Sequence, residues 1–145
     1  MKLRLLLLIF IVSLVSSCRF SSDPPPKPEY YNYRGLWQGT MEALPSHKKF
    51  AFSVNVLSQA LYGSVTGEWQ ADFPDGKISG TMQGTTRKDG VHFSLKIPNS
   101  LCDLGFSGAN DGETITGIMR NYQPKQCEQL KYGEGTLKLQ HKQSQ

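Results

Sequence analysis

A period-two alternation of apolar and polar residues runs through most of this 145-residue chain. Phe50, Phe52 and Val54, for example, alternate with Ala51 and Ser53. Successive side chains of a β-strand point to opposite faces, so the alternation predicts strands that have one buried face. Asp-Gly pairs, which favour tight turns, separate several of the segments, and no stretch has the spacing of a useful helix. We therefore predict an all-β domain.

Eight such strands follow one another in the sequence, which favours a small antiparallel up-and-down barrel. The residues predicted to point inward are, strand by strand, Trp37, Gly39 and Met41; Phe50, Phe52, Val54 and Val56; Leu61, Gly63, Val65, Gly67 and Trp69; Ile78, Gly80, Met82 and Gly84; Val91, Phe93, Leu95 and Ile97; Leu104 and Phe106; Ile115, Gly117 and Met119; and Gly135, Leu137 and Leu139. The inward glycines either allow the bends that closure requires or leave room for a ligand.

The N-terminal segment has the composition of a secretory signal. Lys2 and Arg4 precede an uncharged run over residues 5–15 that is too short to span a bilayer. The Val-Ser-Ser-Cys sequence of residues 15–18 resembles the lipobox of bacterial lipoproteins. This resemblance implies that a signal peptide is removed and that Cys18 then carries acyl chains, palmitate among them, which anchor the protein to a membrane.

Together with the alternation, this resemblance predicts a signal peptide (1–17), a lipid-anchored linker rich in Ser and Pro (18–34) and the barrel domain (35–141). Three consecutive prolines keep the linker out of helices and sheets. Arg19, directly after the cysteine, favours delivery to the outer membrane by the family's sorting rule. We expect the protein at the periplasmic face of the outer membrane, with the inner membrane and the cell surface as alternatives.

Assigning Cys18 to lipid leaves Cys102 and Cys127, which we predict to form a disulfide bond in an oxidising compartment. Two free thiols or a metal-binding pair are the alternatives. No further His or Cys ligands stand at zinc-like spacing, so no metal site is predicted.

Composition and motifs argue against several classes of function. Lys and Arg total 16 and Asp and Glu 12, and removing the signal peptide takes away two basic residues, so the mature charge is too small for a nucleic-acid partner. Gly105-Phe106-Ser107-Gly108 lacks the spacing and the following helix of a nucleophile elbow. No glycine-rich phosphate loop is present. We expect neither an enzyme nor a bound cofactor.

Gly35-Leu36-Trp37, at the start of the first strand, resembles the Gly-x-Trp motif of lipocalins and other calycin-like barrels. In that family the tryptophan packs at the closed base against a basic residue near the end of the last strand. The resemblance implies this place for Trp37, with Lys138 or Lys142 as its basic neighbour. Tyr30, Tyr31 and Tyr33, just upstream, either pack beneath the barrel or stack on a ligand.

Two functional hypotheses remain open. The first is that the barrel binds a small apolar or amphiphilic molecule in its interior or at its mouth. The residues predicted to line that cavity are Trp37, Phe50, Phe52, Trp69 and Phe93. The second is a solid barrel that acts as an interaction or inhibitor module through its distal loops, the ones farthest from the anchor. The meander places the connections near 44–48, 71–77, 98–100 and 121–131 at that distal end, together with both paired cysteines.

Overall fold

The structure is a computed structural model that describes residues 31–128 and 130–142. The predicted signal peptide, Cys18 and almost all of the predicted linker lie outside these residues. The strands are β1 (Gly35–Ala43), β2 (Lys49–Gln59), β3 (Ser64–Phe73), β4 (Gly76–Arg87), β5 (Gly90–Lys96), β6 (Asp103–Asn110), β7 (Thr114–Asn121) and β8 (Gly135–Lys142). Each pairs antiparallel with the next, and β8 pairs with β1 to close the barrel. The predicted eight-stranded up-and-down barrel is confirmed.

The inward faces follow the alternation read from the sequence, and they form one continuous hydrophobic core. Within the described residues, no buried side-chain nitrogen or oxygen lacks a hydrogen-bond partner, and no helix is long and apolar enough to cross a bilayer. The predicted inward position of Leu61 is wrong. Leu61 lies in the turn between β2 and β3, where its side chain is exposed, because β3 begins only at Ser64.

The inward glycines serve the close approach of neighbouring strands. A Cβ added to Gly80 would lie 1.8 Å from the carbonyl oxygen of Lys96 and 2.8 Å from Nε1 of Trp69. That indole Nε1 donates a hydrogen bond to the Lys96 carbonyl at 3.1 Å. Gly80 therefore lets the ring of Trp69 lie across β4 and reach β5. Of the two explanations for the inward glycines, close strand packing holds at this position, and space for a ligand does not.

Cys102 and Cys127 form the predicted disulfide, with 4.8 Å between their Cα atoms. Cys102 lies in the connection just before β6, and Cys127 lies in the long connection between β7 and β8. Both cysteines are buried, so the bridge forms part of the core at the distal end. The alternatives of free thiols or a metal-binding pair are thereby excluded for these two residues.

Candidate functional site

The barrel wall is incomplete at its distal end, between β4 and β5. Pairing between these strands begins at Thr81 and Lys96, although β4 itself begins at Gly76. β5 stops at Lys96 because Pro98, two residues on, has no N–H to donate to a ladder. Among the described strands, none pairs with Gly76–Gly80 on the β5 side, so this end of the wall is open.

A groove of about 580 Å³ occupies this opening. Its lining mixes polar and apolar surface and comes from β4, from the β5–β6 connection and from the β7–β8 connection. The side chains that form its apolar surface are Ile78, Ile97, Pro98, Leu101 and Leu130. Among the described residues that line the groove, Lys125 alone carries a charge. We call this feature the distal groove.

The two connections that form the distal groove are held in shape by their own hydrogen bonds. In the β5–β6 connection, the amide of Cys102 donates to Oγ of Ser100 at 3.0 Å, and Asn99 takes a left-handed conformation with φ of 59°. In the β7–β8 connection, the amide of Leu130 donates to the carbonyl of Cys127 at 2.8 Å. Because the disulfide also joins the two connections, the groove exists before a ligand arrives.

Aromatic rings close the barrel at its distal end. Phe50 lies with its ring centroid 5.4 Å from that of Phe73 and 5.0 Å from that of Tyr132, a residue of the β7–β8 connection. The ammonium of Lys48 lies 5.7 Å from the centroid of the Tyr132 ring. These rings separate the interior of the barrel from solvent at the distal end.

The five predicted ligand-binding side chains lie in the packed core. Trp37, Phe50, Phe52, Trp69 and Phe93 are between 1 and 6% exposed. Phe52 stacks on Trp69 with 5.6 Å between the ring centroids, and Phe93 packs on Phe106 at 5.9 Å. None of the five lines the distal groove. These rings contact one another and neighbouring core side chains. The candidate binding site is therefore sought at the mouth of the barrel and not in its interior.

Trp37 lies at the base, the position that the lipocalin-like motif implies, but its basic neighbour is His141. The two ring centroids are 4.7 Å apart, and Nε2 of His141 lies 3.0 Å from the carbonyl oxygen of Arg34. The prediction of Lys138 or Lys142 is wrong, because both point outward from β8 and are exposed. β8 runs to Lys142, and odd-numbered His141 therefore falls on the inward face.

Two tyrosines close the base, as expected for packing beneath the barrel. The hydroxyl of Tyr33 donates to the carbonyl of Arg87 at 2.7 Å, and that of Tyr31 donates to the carbonyl of Gly112. Tyr33 is fully buried, and burial raises the pKa of its hydroxyl to about 12. Tyr30 lies outside the described residues. The base is thus sealed by rings whose hydroxyls are used in structure.

Two small polar clusters lie away from the distal groove. Nδ1 of His92 lies 2.8 Å from Oγ of Ser107 on the outer face of the barrel. Near the mouth, the hydrogen bond from His47 lowers the pKa of Glu42, with Lys49 also nearby. In the part of the chain that the structure describes, no three His, Cys, Asp or Glu side chains converge on a point where a metal could bind.

Comparison with protein-family models, with curated proteins and with solved structures gave no match for this chain. The distal groove itself was not predicted from the sequence, although its flanking connections and both cysteines were placed at this end. The available signal was Pro98, which ends β5 early while the alternation continues through Gly76–Gly80 on its neighbour.

Proposed function

We propose that this chain is a lipid-anchored, periplasmic binding module that holds the apolar part of a small amphiphile in the distal groove. The single observation that carries the proposal is the groove of about 580 Å³, in which an apolar strip of five side chains lies beside polar surface and one cation. Ligand pockets in proteins commonly measure about 300–1,000 Å³ and combine an apolar lining with a few polar groups. No catalytic step is part of this proposal.

The lipid anchor on Cys18 is supported by the sequence of residues 1–18. The described chain enters the barrel at residue 31, on the side of Trp37 and His141, and the groove lies at the other end. A protein tethered in this way presents its groove away from the membrane surface. An outer-membrane location, favoured by Arg19, belongs to the same proposal.

The lining indicates which amphiphile fits best. Leu101 is 77% exposed at the rim, and burying this side chain against an acyl chain would make the free energy of binding more favourable. Lys125 supplies a positive charge, and no carboxylate stands among the lining residues. An anionic single-chain amphiphile, such as a fatty acid, would therefore place its chain along Ile78, Ile97 and Leu101 and its head beside Lys125.

A titration with laurate, below the concentration at which it forms micelles, tests this proposal on the mature chain carrying Cys18→Ser. Calorimetry should detect binding to one site per chain, and Leu101→Asp should abolish it by placing a carboxylate beside the acyl chain. Leu61→Asp is the matched control, since Leu61 is similarly exposed but lies at the base. Binding that is absent, or is lost equally in both variants, would refute a distal amphiphile site.

A protein partner is the second candidate, and the open backbone of Gly76–Gly80 favours it. An unpaired strand edge can accept an extended segment of another chain as an additional strand. Amide hydrogen exchange tests this, with the chain measured alone and with any protein that co-purifies with it. The partner hypothesis predicts slower exchange over residues 76–80 in the complex, and unchanged exchange there would exclude strand addition.

A further inference from the structure

The turn between β2 and β3 presents large apolar side chains to solvent at the base of the barrel. Leu61 is 81% exposed and Tyr62 is 88% exposed. Leu57, the extra residue at a β-bulge in β2, is 57% exposed nearby in the sequence. We call these three residues the base tip. Single exposed hydrophobic residues are common, but two neighbouring ones on one turn, with a third at the bulge just before it, indicate a contact surface.

Hydrogen bonds hold this turn in a fixed shape. The amide of Gly63 donates to the carbonyl of Ala60 at 3.0 Å, and the amide of Ala60 donates to the carbonyl of Ser64 at 2.8 Å. The carbonyl of Gly63 accepts from both the amide and the hydroxyl of Thr86, at 2.7 and 3.0 Å. Leu61 and Tyr62, between these anchored residues, are therefore held outward by the fold.

The base tip lies beside the point where the N-terminal chain joins the barrel. Gln59, just before the turn, accepts a hydrogen bond from the amide of Tyr33 at 2.8 Å and donates one to the carbonyl of Tyr31 at 2.8 Å. Tyr31 follows Cys18 by thirteen positions in the sequence. Even fully extended, that length of chain spans only about 45 Å. A lipid on Cys18 would thus keep the base within reach of the bilayer.

We infer that the base tip is a second membrane contact, which inserts into the interfacial layer of the bilayer that holds Cys18. This inference rests on the proposed lipid anchor. Leu57 and Leu61 would enter the boundary of the acyl chains, and Tyr62 would lie at the level of the headgroups, where tyrosine is enriched. Such a contact fixes the barrel upright on the membrane and turns the distal groove toward the periplasm.

The charges at the base have mixed sign, so the inferred contact depends on the apolar side chains. The exposed charged residues there are of both signs: Arg34, Arg87, Lys88 and Lys142 on one side and Asp89, Asp111 and Glu113 on the other. A surface of mixed sign gains little from anionic lipid. The base tip should therefore bind neutral phosphatidylcholine vesicles, and anionic lipid should add little to the affinity.

A tryptophan placed in the base tip reports its depth directly. Tyr62→Trp is compared with Tyr122→Trp, a control at an exposed tyrosine of the β7–β8 connection. The acylated chains are reconstituted into phosphatidylcholine vesicles with or without bromine on the upper part of the acyl chains. We expect quenching and a blue shift for Tyr62→Trp only. Equal responses of the two variants, or no response, would overturn the inference.

A second measurement separates the base tip from the anchor. The mature Cys18→Ser chain, which cannot be acylated, should bind neutral vesicles weakly, and Leu61→Ser with Tyr62→Ser should weaken this binding at least about tenfold. Tyr122→Ser is the control and should leave it unchanged. If these substitutions abolish self-association without lipid and leave vesicle binding intact, the tip is a protein interface and the inference fails.

The anchor is tested independently by mass spectrometry of the membrane fraction. An unmodified Cys18 would refute the anchor. An acylated Tyr62→Trp chain whose introduced tryptophan is unquenched would refute only the second contact.

Discussion

Removing the disulfide should destabilise the barrel and disorder the distal groove together. The two cysteines are 25 residues apart in sequence, and the chain-entropy estimate for a closed loop of this size is about 3.5 kcal/mol. Small domains are stable by only about 5–15 kcal/mol. Cys102→Ala with Cys127→Ala should therefore remove a large fraction of the free energy of unfolding.

Urea denaturation measures this loss, with the fluorescence of the two buried tryptophans as the signal. With slopes of about 1–3 kcal/mol per molar urea, the midpoint should fall by about 1–3 M. The wild-type chain in a reducing buffer is the matched control and should approach the double variant. A loss below about 1 kcal/mol would refute the reasoning, since it would mean that hydrogen bonds and packing alone hold the two connections.

The same variant tests whether the bridge shapes the binding site. Both bridged connections contribute to the lining of the distal groove. Laurate affinity should fall under conditions in which near-ultraviolet circular dichroism still reports a folded barrel. Unchanged affinity in a folded, bridge-free chain would show that the groove does not depend on the disulfide.

Three further predictions concern the barrel itself. Gly80→Ala should cost about 1–3 kcal/mol of stability in urea, because its Cβ would meet the Lys96 carbonyl; Gly90→Ala, whose Cβ has only a 3.1 Å contact, should cost less. Burial raises the pKa of Tyr33 from 10.0 to about 12 in the folded state. The neutral hydroxyl therefore contributes on the order of 2–3 kcal/mol to the free energy of unfolding. This contribution is complete below pH 10 and is lost as the pH rises to 12. Alkaline titration of stability should show this loss in the wild type and not in Tyr33→Phe, and identical profiles would refute it. Phe52→Leu should lower stability by about 1 kcal/mol or more through its lost stacking on Trp69, and laurate affinity should stay unchanged. A parallel loss of laurate affinity would indicate that the ligand binds in the barrel interior.

The sequence predicted the barrel well because the alternation reports directly on which face of each strand is buried. The positions of Phe52, Val65 and Leu95 follow from this period alone, as does the sequential order of the strands. The disulfide was predictable because the meander brings the segments around Cys102 and Cys127 to the same end. Both results depend on the local alternation and on the fact that successive connections of a meander fall at opposite ends of the barrel.

Features that depend on where a ladder ends could not be predicted in the same way. The place of His141 beside Trp37 could not be predicted, because nothing local indicates that β8 continues to Lys142 along β1. The groove arises from the difference in length between β4 and β5. Pro98 indicates that β5 ends early, but the residue of β4 at which the pairing begins is known only from the register. Likewise, an inward glycine in a sequence is compatible either with empty space for a ligand or with the close approach of a neighbouring strand. For Gly80, only the position of the Lys96 carbonyl shows that the strand is close.

The central claim is that the barrel has a packed interior and binds its ligand at the distal mouth. The most direct test is a two-dimensional ¹H–¹⁵N NMR titration of the mature Cys18→Ser chain with laurate. Chemical-shift changes should cluster at Ile78, at residues 97–102 and at residues 125–130, while the amides of Phe52 and Phe93 stay in place. Changes centred on the interior amides and on the indole of Trp37, with the distal connections unaffected, would contradict the account.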